Sequence, residues 1–496
     1  MGEISLSQAP VQDPEPGVSL PPLCIDLDGT LVKSDTLPDS LLALARTQPF
    51  DLLRVPLWLV RGKAALKAQI ASRVVLDVRH LPYNRLLLEY LEVERGQGRR
   101  LYLATGADQA LAGRIAQHLG IFDGVLASDG TTNLTAGNKL RGLRETFGDE
   151  GYDYVGNAGA DLPLLEHAHT AMIANPSPGL QSRLRARGIT VDRVFEERRP
   201  AARAILKALR LHQWAKNILI FLPLLLAHTL RLNLVADALL AFASFSLCAS
   251  ATYIINDLLD IEADRRHPRK RLRPFAAGDL SVKAGVTLAA GLLGIGLAAA
   301  VVLMPMRFLM WLLIYLVTTL SYSLYLKRIV LADVILLSGL YVLRMLAGSA
   351  ATRVPISPWL GALSLFLFLS LAMVKRFSEL QNTRARGQTL ANGRGYLLGD
   401  VEQMRSFGTA SAYASVVVFS FYIGGHDVSG HDVSALYRHP EWLWLITPLM
   451  ILWLSRVWLL ASRGELDEDP VIFAVTDRIS LLIGVAVVAI AALAAF

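Results

Sequence analysis

The chain has 496 residues, of which 53% are hydrophobic, and its formal net charge is +7 at pH 7. This length exceeds what a single hydrophobic core usually supports, so we expect more than one domain. The two cysteines, Cys24 and Cys248, lie far apart in apolar stretches, which excludes both a disulfide framework and a paired-cysteine metal site.

Composition divides the chain near residue 200. Charged and apolar residues are mixed upstream, as in a water-soluble domain, whereas apolar runs recur downstream. The first 20 residues are polar and contain several prolines, so they are predicted to form a disordered tail and not a signal peptide. We therefore predict an α/β domain over 21–195, a linker with a basic interfacial helix over 196–212, and an all-α polytopic membrane domain over 213–496.

The first motif that carries chemistry is LCIDLDGT, residues 23–30. It reads as a short buried strand that ends at two carboxylates, Asp26 and Asp28, in a turn containing glycine. A strand ending in DxDGT resembles the first motif of the haloacid dehalogenase (HAD) superfamily, whose members are mostly phosphatases built on a parallel sheet. The resemblance implies that Asp26 is a nucleophile forming an aspartyl-phosphate, that Asp28 is a general acid/base, and that both contribute to a Mg²⁺ site.

Later motifs of that superfamily follow in the expected order. A second strand over 100–106 includes Thr105, which the resemblance assigns to phosphoryl binding, and Lys139 matches the lysine that neutralises nucleophile and phosphate. In YVGNAGAD, residues 154–161, Asp161 matches a metal ligand, but Asn157 replaces the expected acid. An asparagine carbonyl can still bind Mg²⁺, although the lost charge should weaken binding. We expect a slow or substrate-restricted phosphatase; the alternative is a degenerate domain kept for stability or regulation.

Residues 36–98, between the first two motifs, are mostly helical in pattern and resemble the helical cap of phosphoserine-phosphatase-like members. Within them, residues 50–61 mix aromatic, aliphatic and basic side chains. Such a segment could rest on a membrane surface, but burial in the core of the cap is the expected arrangement.

Apolar runs predict nine membrane-spanning helices in the second part of the chain. Their ranges are 214–230, 234–255, 284–304, 308–326, 329–351, 359–374, 409–423, 442–460 and 479–496. With the N-terminus inside, sixteen arginines and lysines, Arg386 and Arg394 among them, fall in cytoplasmic loops and four in the opposite loops. This positive-inside bias predicts a multi-pass protein of the cytoplasmic (inner) membrane, with the N-terminal domain and active sites on the cytoplasmic side.

The second predicted span ends at a cluster of oxygen donors, Asn256, Asp257, Asp260 and Asp264, followed by a basic loop. At helical spacing, residues 256, 260 and 264 share a face, with 257 beside them. Carboxylates near lipid are costly and are usually kept for function. Such hard donors suit Mg²⁺, which takes its remaining ligands from substrate phosphates, so we predict a magnesium-diphosphate site. The alternative is a solvated acidic helix end balanced by the arginines that follow.

Nine helices with NDxxDxxxD after the second resemble the UbiA superfamily of intramembrane prenyltransferases, over residues 205–496. The resemblance implies that the motif holds a diphosphate through Mg²⁺, with Asp257 and Asp260 assisting its departure. Members with aromatic acceptors carry a second Asp-rich motif after the sixth helix, where this chain has Lys375, Arg376 and Glu379. Cations there favour direct contact with phosphate oxygens, so this departure from the pattern predicts two phosphorylated substrates.

Further segments resemble the decaprenyl-phosphate phosphoribosyltransferase branch of that superfamily. They are HQWAKN at 212–217, YSLYLK at 322–327, Asp333, LRMLAG at 343–348, KRFSE at 375–379 and the stretch 469–478. The resemblance implies transfer of 5-phosphoribosyl from phosphoribosyl diphosphate to a polyprenyl phosphate. Candidate substrate-binding residues are Gln213, Lys216, Asn256, Lys327, Arg328, Arg344, Lys375, Arg376, Glu379 and Arg478.

Arg344 lies deep in a predicted span, where an arginine normally faces the bundle interior or an aqueous cavity. Its structural alternative is an ion pair with an acid of another helix. Lys327 and Arg328 could equally be ordinary positive-inside anchors.

The two parts of the chain suggest consecutive reactions, in which the HAD-like domain removes the 5-phosphate of the lipid-linked product. A short tether would keep the local concentration high. Two competing interpretations stay open: an aromatic-acceptor prenyltransferase that uses a prenyl diphosphate, and a non-catalytic membrane scaffold or transporter with a regulatory HAD-like domain. The expected partners are phosphoribosyl diphosphate, polyprenyl phosphate and the bilayer, but not nucleic acid; lipid chain length and oligomeric state are left open.

Overall fold

The computed structural model describes residues 20–385, 395–424, 437–466 and 470–495. Arg386 and Arg394, which belong to the predicted charge bias, and Asp469 of the C-terminal motif lie outside these residues. The chain folds into two compact units. The first contains the described residues up to Ala208 and also Asp257–Val286; the second contains Leu209–Asn256 and the described residues from Thr287 onwards. Composition did not indicate that Asp257–Val286, a piece of the membrane part of the sequence, packs in the first unit.

A six-stranded parallel sheet forms the centre of the first unit, in the order β3-β2-β1-β4-β5-β6. The strands are Leu23–Ile25 (β1), Leu101–Asp108 (β2), Gly124–Ser128 (β3), Asp153–Gly156 (β4), Ala171–Ala174 (β5) and Val191–Phe195 (β6). Strand β1 is apolar and buried throughout, because helices cover both faces of a parallel sheet. The strand order reverses at β1, so the carboxyl ends of β1, β2 and β4 meet where such sheets bind ligands. The predicted parallel α/β domain is confirmed.

Helices cover this sheet, and four of them form an insertion between β1 and β2. The helices of this part are Thr36–Thr47 (α1), Val55–Val60 (α2), Lys63–Ala71 (α3), Arg85–Gly96 (α4), Gln109–Leu119 (α5), Gly137–Phe147 (α6), Leu162–His167 (α7), Leu180–Ala186 (α8) and Ala201–Leu209 (α9). Helix α1 begins after Asp35, whose carboxylate accepts a hydrogen bond from the Leu37 N–H and so caps the helix. The insertion is the predicted helical cap, and α9 lies in the predicted linker.

The apolar segment 50–61 of the cap differs from the expectation that it would be core. Phe50, Leu53 and Val60 are 84%, 81% and 86% exposed, and Trp58 is its buried apolar side chain, with the Arg73 guanidinium 4.6 Å from the centre of its ring. The segment is a 3-10 helix followed by the short helix α2, which is too short to bury a full apolar face. An exposed apolar surface on the cap therefore remains, as the membrane-contact alternative requires.

The helices of the rest of the chain are mostly long and apolar, and the residues Asp257–Val286 among them belong to the first unit. The helices are Leu222–Leu226 (α10), Leu232–Leu259 (α11), Ile261–Arg266 (α12), Val282–Leu303 (α13), Met306–Leu324 (α14), Ala332–Thr352 (α15), Pro358–Ala385 (α16), Val401–Gly424 (α17), Ile446–Ser462 (α18), Pro470–Thr476 (α19) and Arg478–Ala495 (α20). Among the described residues, eight helices are long and apolar enough to cross a membrane, in rough agreement with the nine predicted. This is a multi-pass membrane protein.

The predicted first span, 214–230, is the one of the nine that does not form a long helix. It consists of a 3-10 segment, Leu211–Phe221, followed by the five-residue helix α10. The 3-10 segment lies directly against α15 at Gly348, where an added Cβ would come within 2.1 Å of the Ile220 carbonyl oxygen. Only glycine permits this approach, which explains why the run LRMLAG contains one.

Candidate functional sites

Asp26 follows β1 at the carboxyl end of the sheet, where Lys139 of α6 reaches it. The Lys139 ammonium donates to Asp26 Oδ1 at 2.7 Å and to the Tyr154 hydroxyl at 3.0 Å, and it lies 3.7 Å from Asp161 Oδ1. Thr30 Oγ1 donates to the other oxygen of Asp26 at 3.2 Å. The structure thus brings Asp26 together with Lys139 and Asp161, which follow it in the sequence by more than a hundred positions.

Burial controls the protonation of the two carboxylates at this strand end. It raises the pKa of Asp26 to about 6, while Lys139 opposes the shift and Asp161 adds to it. Burial also raises the pKa of Asp28 to about 7, and the nearby charge of Asp35 contributes. Asp28 Oδ1 accepts a hydrogen bond from the Thr36 N–H at 2.7 Å. A carboxyl whose pKa lies near neutrality can both donate and accept a proton, as a general acid/base must.

Asp161 and Asn157 follow β4 and line the same cavity. Asp161 Oδ2 accepts hydrogen bonds from the N–H groups of Asn157 and Ala158, both at 3.0 Å, which fixes the loop after β4. The Asn157 amide lies against Gly29, where an added Cβ would be 2.0 Å from Nδ2. Gly29 also has a φ of +80°, so glycine is required for both reasons.

Thr105 is placed differently from the other predicted residues. It is fully buried in β2, its hydroxyl accepts a hydrogen bond from the Ala107 N–H at 3.0 Å, and it does not line the cavity. The neighbouring Gly106 and Ala107 do line it. Phosphoryl binding by Thr105 therefore stays a prediction.

A cavity of about 690 Å³ opens at this end of the sheet. Charged and amide side chains that line it are Asp26, Asp28, Asp35, Asp108, Asp161, Asn133, Asn157, Lys63, Lys67, Lys139 and Lys283. Carboxylate and amide oxygens are hard donors that suit Mg²⁺, so the chemistry of these side chains fits this ion, and metal binding by them stays a prediction. Lys283 was missed by sequence reasoning because it lies in the membrane part of the sequence.

The Asp motif after the second predicted span departs from the expected continuous helix. Helix α11 ends at Leu259, and α12 begins after Asp260, so residues 256, 260 and 264 do not share one unbroken helical stripe. Asp257 and Asp264 are buried instead around the guanidinium of Arg273, which lies 3.1 Å and 2.7 Å from their oxygens. Burial raises the pKa of Asp264, and Arg273 opposes that shift.

In the part of the chain that the structure describes, no three acidic, histidine or cysteine side chains are grouped as a metal site. The oxygen donors of Asp257 and Asp264 nevertheless suit a hard cation, and Arg273 shows that they jointly attract positive charge. Metal binding by Asn256, Asp257, Asp260 and Asp264 stays a prediction. Arg273 was counted in the sequence as part of a basic loop, without a partner.

Arg344 is buried in the membrane unit, as its sequence position predicted. Its Nε donates to Asn217 Oδ1 at 2.8 Å and its Nη1 to the Leu340 carbonyl at 2.5 Å. Asn217 is held in turn by Ser246 Oγ, at 2.8 Å. Within the described ranges no carboxylate forms an ion pair with Arg344, so the expected structural alternative is not found there.

Aromatic rings surround this arginine. The centres of the Phe245, Tyr315 and Tyr341 rings lie 5.6, 5.1 and 5.4 Å from its guanidinium carbon. Such contacts stabilise a desolvated cation without neutralising it. Lys216 also approaches Tyr341, with its ammonium 5.9 Å from the ring centre, so two of the predicted substrate-binding cations share one ring.

Arg376, unlike Arg344, contacts two carboxylates. Its Nη2 lies 2.7 Å from Asp333 Oδ2, and its Nη1 contacts Glu379. The Tyr396 hydroxyl donates to the other oxygen of Asp333. Arg376 Nη2 and Asp333 Oδ2 lack an aligned hydrogen bond despite their distance, so their contact is chiefly electrostatic. Arg376 and Asp333 thus form a buried ion pair between α16 and α15.

The remaining predicted substrate-binding residues lie elsewhere in the membrane unit. Lys327 is half-buried and Arg328 exposed in the 3-10 turn Leu326–Arg328, while Lys375 is half-buried beside Arg376. Arg478 is exposed at the start of α20. Gln213 is half-buried in the 3-10 segment before α10, where its N–H donates to the Arg210 carbonyl. Their roles in substrate binding stay predictions.

These features define a parallel α/β unit with a buried aspartate-lysine cluster, joined in one chain to a polytopic bundle with buried cations. Residues 218–482, more than half of the chain, match the UbiA prenyltransferase family, and the chain belongs to that family. The predicted UbiA membership of the membrane part is confirmed, and the first unit has the parallel α/β fold that the HAD resemblance implies.

Two relatives match the chain at more than 30% identity. It is similar to the uncharacterized protein y4nM of Sinorhizobium fredii, with 39% identity over 465 residues, 93% of this chain and 89% of that protein. It is also similar to a decaprenyl-phosphate phosphoribosyltransferase of Mycobacterium tuberculosis, with 36% identity over 191 residues, 38% of this chain and 63% of that protein.

Solved structures align with each part of the chain separately. A UbiA homolog from Archaeoglobus fulgidus, bound to GPP and Mg²⁺, aligns with 59% of this chain and 98% of its own, at 19% identity and a TM-score of 0.44. A HAD family hydrolase from Salmonella enterica serovar Typhi aligns with 34% of this chain and 68% of its own, at 18% identity and a TM-score of 0.26.

Proposed function

We propose that the chain transfers 5-phosphoribosyl from phosphoribosyl diphosphate to a polyprenyl phosphate, and that its HAD-like unit then removes the 5-phosphate of the product. The observation that carries the proposal is Arg344, a buried cation for which the described residues supply no carboxylate. The relatives named decaprenyl-phosphate phosphoribosyltransferase support the choice of substrates.

A buried arginine without an acidic partner is suited to hold an anionic substrate. Burying an unpaired charge is costly, so such a position favours any ligand that brings a compensating negative charge. A lipid monophosphate matches the planar guanidinium, which can bind two phosphate oxygens at once. An uncharged acceptor would leave the charge of Arg344 uncompensated, whereas any phosphorylated substrate would compensate it.

The transfer itself needs little proton movement. The bond from C1 of the ribose to the diphosphate breaks, an oxygen of the lipid phosphate bonds to C1, and diphosphate leaves. The acceptor is already anionic, so a base is not required and alignment of the two phosphates supplies the catalysis. Mg²⁺ held by Asn256, Asp257, Asp260 and Asp264 would neutralise the departing diphosphate.

The second step fits the cavity of the HAD-like unit. Asp26 would attack the 5-phosphate and Asp28 would protonate the leaving hydroxyl, then activate the water that hydrolyses the aspartyl-phosphate. Lys139, at 2.7 Å from Asp26, balances the charge of the nucleophile and the phosphoryl group. Asp26, Asp28, Asn157 and Asp161 would hold Mg²⁺ here. We propose that this unit and both reactions lie on the cytoplasmic side of the inner membrane, as the charge bias favours.

The full-length protein, reconstituted in vesicles with labelled phosphoribosyl diphosphate and polyprenyl phosphate, tests both steps. Wild type should accumulate dephosphorylated lipid-linked ribose and free phosphate, whereas Asp26→Asn should stop at the phosphorylated lipid, because the nucleophile is lost. Asp192→Asn is the matched control, since this aspartate pairs with Arg193 at the surface, outside the cavity.

Identical products from wild type and Asp26→Asn would rule out the coupled phosphatase. Failure to consume phosphoribosyl diphosphate, together with turnover of a prenyl diphosphate and a hydroxybenzoate, would establish the aromatic prenyltransferase instead. If neither pair of substrates reacts, the scaffold interpretation holds.

A further inference from the structure

We propose that Lys283, together with Lys63 and Lys67, forms a second anion-binding subsite in the phosphatase cavity, which makes the cavity selective for phosphomonoesters that carry a second negative group. Its natural substrate would be the lipid-linked phosphoribose, whose phosphodiester is that second group. This inference rests on the proposed function and assigns a substrate class to the phosphatase.

The lysines that line the cavity differ in whether their partners carry a negative charge. Lys139 is committed to Asp26 and Asp161 at the phosphoryl end. Lys67 donates to the Gly106 carbonyl at 2.5 Å and to Asn133 Oδ1 at 2.8 Å, and neither of these partners carries a charge. Lys63 and Lys283 line the same cavity, and the described residues form no salt bridge with either. Three cations are therefore left to meet an anion in the cavity.

Of these three lysines, Lys67 lies near the carboxylates of the phosphoryl site. It is close enough to act electrostatically on both Asp28 and Asp35, and Lys283 acts on Asp35 as well. Asp35 and Asp108 also line the cavity, so three lysines face two carboxylates outside the nucleophile and its metal-binding partners. This excess of positive charge would attract a second anionic group of the substrate.

Lys283 reaches the cavity because its segment packs in the phosphatase unit. Arg265 of α12 is buried there, with Nη2 2.8 Å from Asp39 Oδ2 and 3.0 Å from Ser34 Oγ of the cap. Gly278, at a φ of +73°, lies so close to Lys33 that an added Cβ would be 2.7 Å from that side chain. These two contacts hold the segment that leads into α13, on which Lys283 is the second residue.

The size of the cavity agrees with a substrate larger than one phosphate. At about 690 Å³ it falls in the range of pockets that enclose whole small molecules. A ribose 5-phosphate with a phosphodiester at C1 has its two charged groups at opposite ends of the sugar. The 5-phosphate would meet Asp26 and Lys139, and the diester would meet the three remaining lysines.

The test compares two soluble substrates of the full-length protein in detergent. One is ribose 5-phosphate; the other is the methyl phosphodiester of ribose 1,5-bisphosphate, which has the same cleavable group and a second anion. Lys283→Gln should raise KM for the diester by about tenfold, the effect expected for one lost charged contact, and leave ribose 5-phosphate within about twofold. Lys63→Gln should give the same pattern.

Arg187→Gln is the matched control, because it removes one positive charge from the same unit at a surface ion pair with Glu166, outside the cavity. Equal changes for both substrates in Lys283→Gln, or no change for either, would overturn the subsite. The melting temperatures of wild type and variant should agree, since Lys283 is exposed.

A wild-type protein that hydrolyses neither substrate would refute the proposed phosphatase but not the subsite. Calorimetric binding of the same two compounds to Asp26→Asn, with and without Lys283→Gln, then decides. Loss of about tenfold in affinity for the diester alone supports the subsite. Equal affinity of the two proteins for the diester contradicts it.

Discussion

Two arginines in the membrane unit, Arg344 and Arg376, are equally buried but differ in what neutralises them. Arg376 contacts the carboxylates of Asp333 and Glu379, whereas Arg344 contacts an amide, a carbonyl and three rings. A buried arginine that is paired with a carboxylate stabilises the fold, whereas one without such a partner is suited to bind an anionic substrate. Sequence reasoning assigned both the same expected role, Arg344 because it lies deep in a predicted span and Arg376 because it stands where a second Asp-rich motif is expected.

Arg344→Lys should reduce phosphoribosyl transfer by about 100-fold while the protein stays folded. Lysine keeps the charge but loses the planar fork that holds two phosphate oxygens, and it cannot reach Asn217 and the Leu340 carbonyl in the same way. The measurement is the initial rate with saturating phosphoribosyl diphosphate, and the melting temperature in detergent.

Arg307→Gln serves as the control for that variant, since Arg307 is exposed in the first turn of α14. Full activity of a folded Arg344→Lys protein would show that bidentate contact with this guanidinium is not used in the reaction.

At the scale of helices, the contact between α15 and α16 depends on a buried ion pair. Asp333 begins α15, Arg376 lies in α16, and Tyr396 precedes α17 and donates to Asp333. Removing one member of a buried pair typically costs about 3–5 kcal/mol, because the other charge is left buried, whereas replacing both by apolar residues is often neutral. Substituting one or both members of the pair therefore tests whether Arg376 stabilises the fold or binds substrate.

Arg376→Met and Asp333→Leu should each lower the unfolding free energy by about 3 kcal/mol or more, and the double variant should recover most of that loss. Tyr396 keeps one hydrogen bond in the double variant, because its hydroxyl also accepts from the Leu331 N–H at 3.0 Å. Unfolding in detergent supplies the free energies, and the transfer rate is measured alongside.

The double variant should retain transfer activity within about threefold, since the charge of Arg376 is already neutralised in the native protein. A folded but inactive double variant would instead assign Arg376 to the substrate, as the sequence pattern predicted.

Element prediction succeeded where the signal was local. Short motifs marked Asp26 after β1, Asp161 in the turn after β4 and the lysine of α6, and the order of the parallel strands brings the carboxyl ends of β1 and β4 together. The helix break at Asp260 was missed because residue spacing assumes an unbroken helix. Arg265 and Lys283 were missed for another reason: their partners lie more than two hundred positions away, and no local pattern marks such contacts.

At the scale of the whole molecule, the membrane topology can be read with cysteines. The native thiols of Cys24 and Cys248 are buried, and burial raises the pKa of Cys24 well above its usual range, so neither should react with a maleimide. Exposed positions on the two predicted faces are available at Arg231 and Arg463.

In intact spheroplasts, Arg231→Cys should react with a membrane-impermeant maleimide, and Arg463→Cys should react only after permeabilisation. The reason is the positive-inside bias, which places residue 463 in a cytoplasmic loop. Wild type is the unlabelled control. The reverse labelling pattern would invert the proposed orientation and place the HAD-like unit outside the cell.

The segment Asp257–Val286 limits how chains of this kind can recombine. A hybrid of two relatives joined at residue 200, where the composition changes, would set Arg265 and Arg266 against a foreign cap that need not offer acids in place of Asp39 and Asp77. Moving the segment together with the N-terminal part would preserve both pairs. Substitutions in the cap and in this segment are therefore expected to covary, although Asp39 and Arg265 are 226 positions apart.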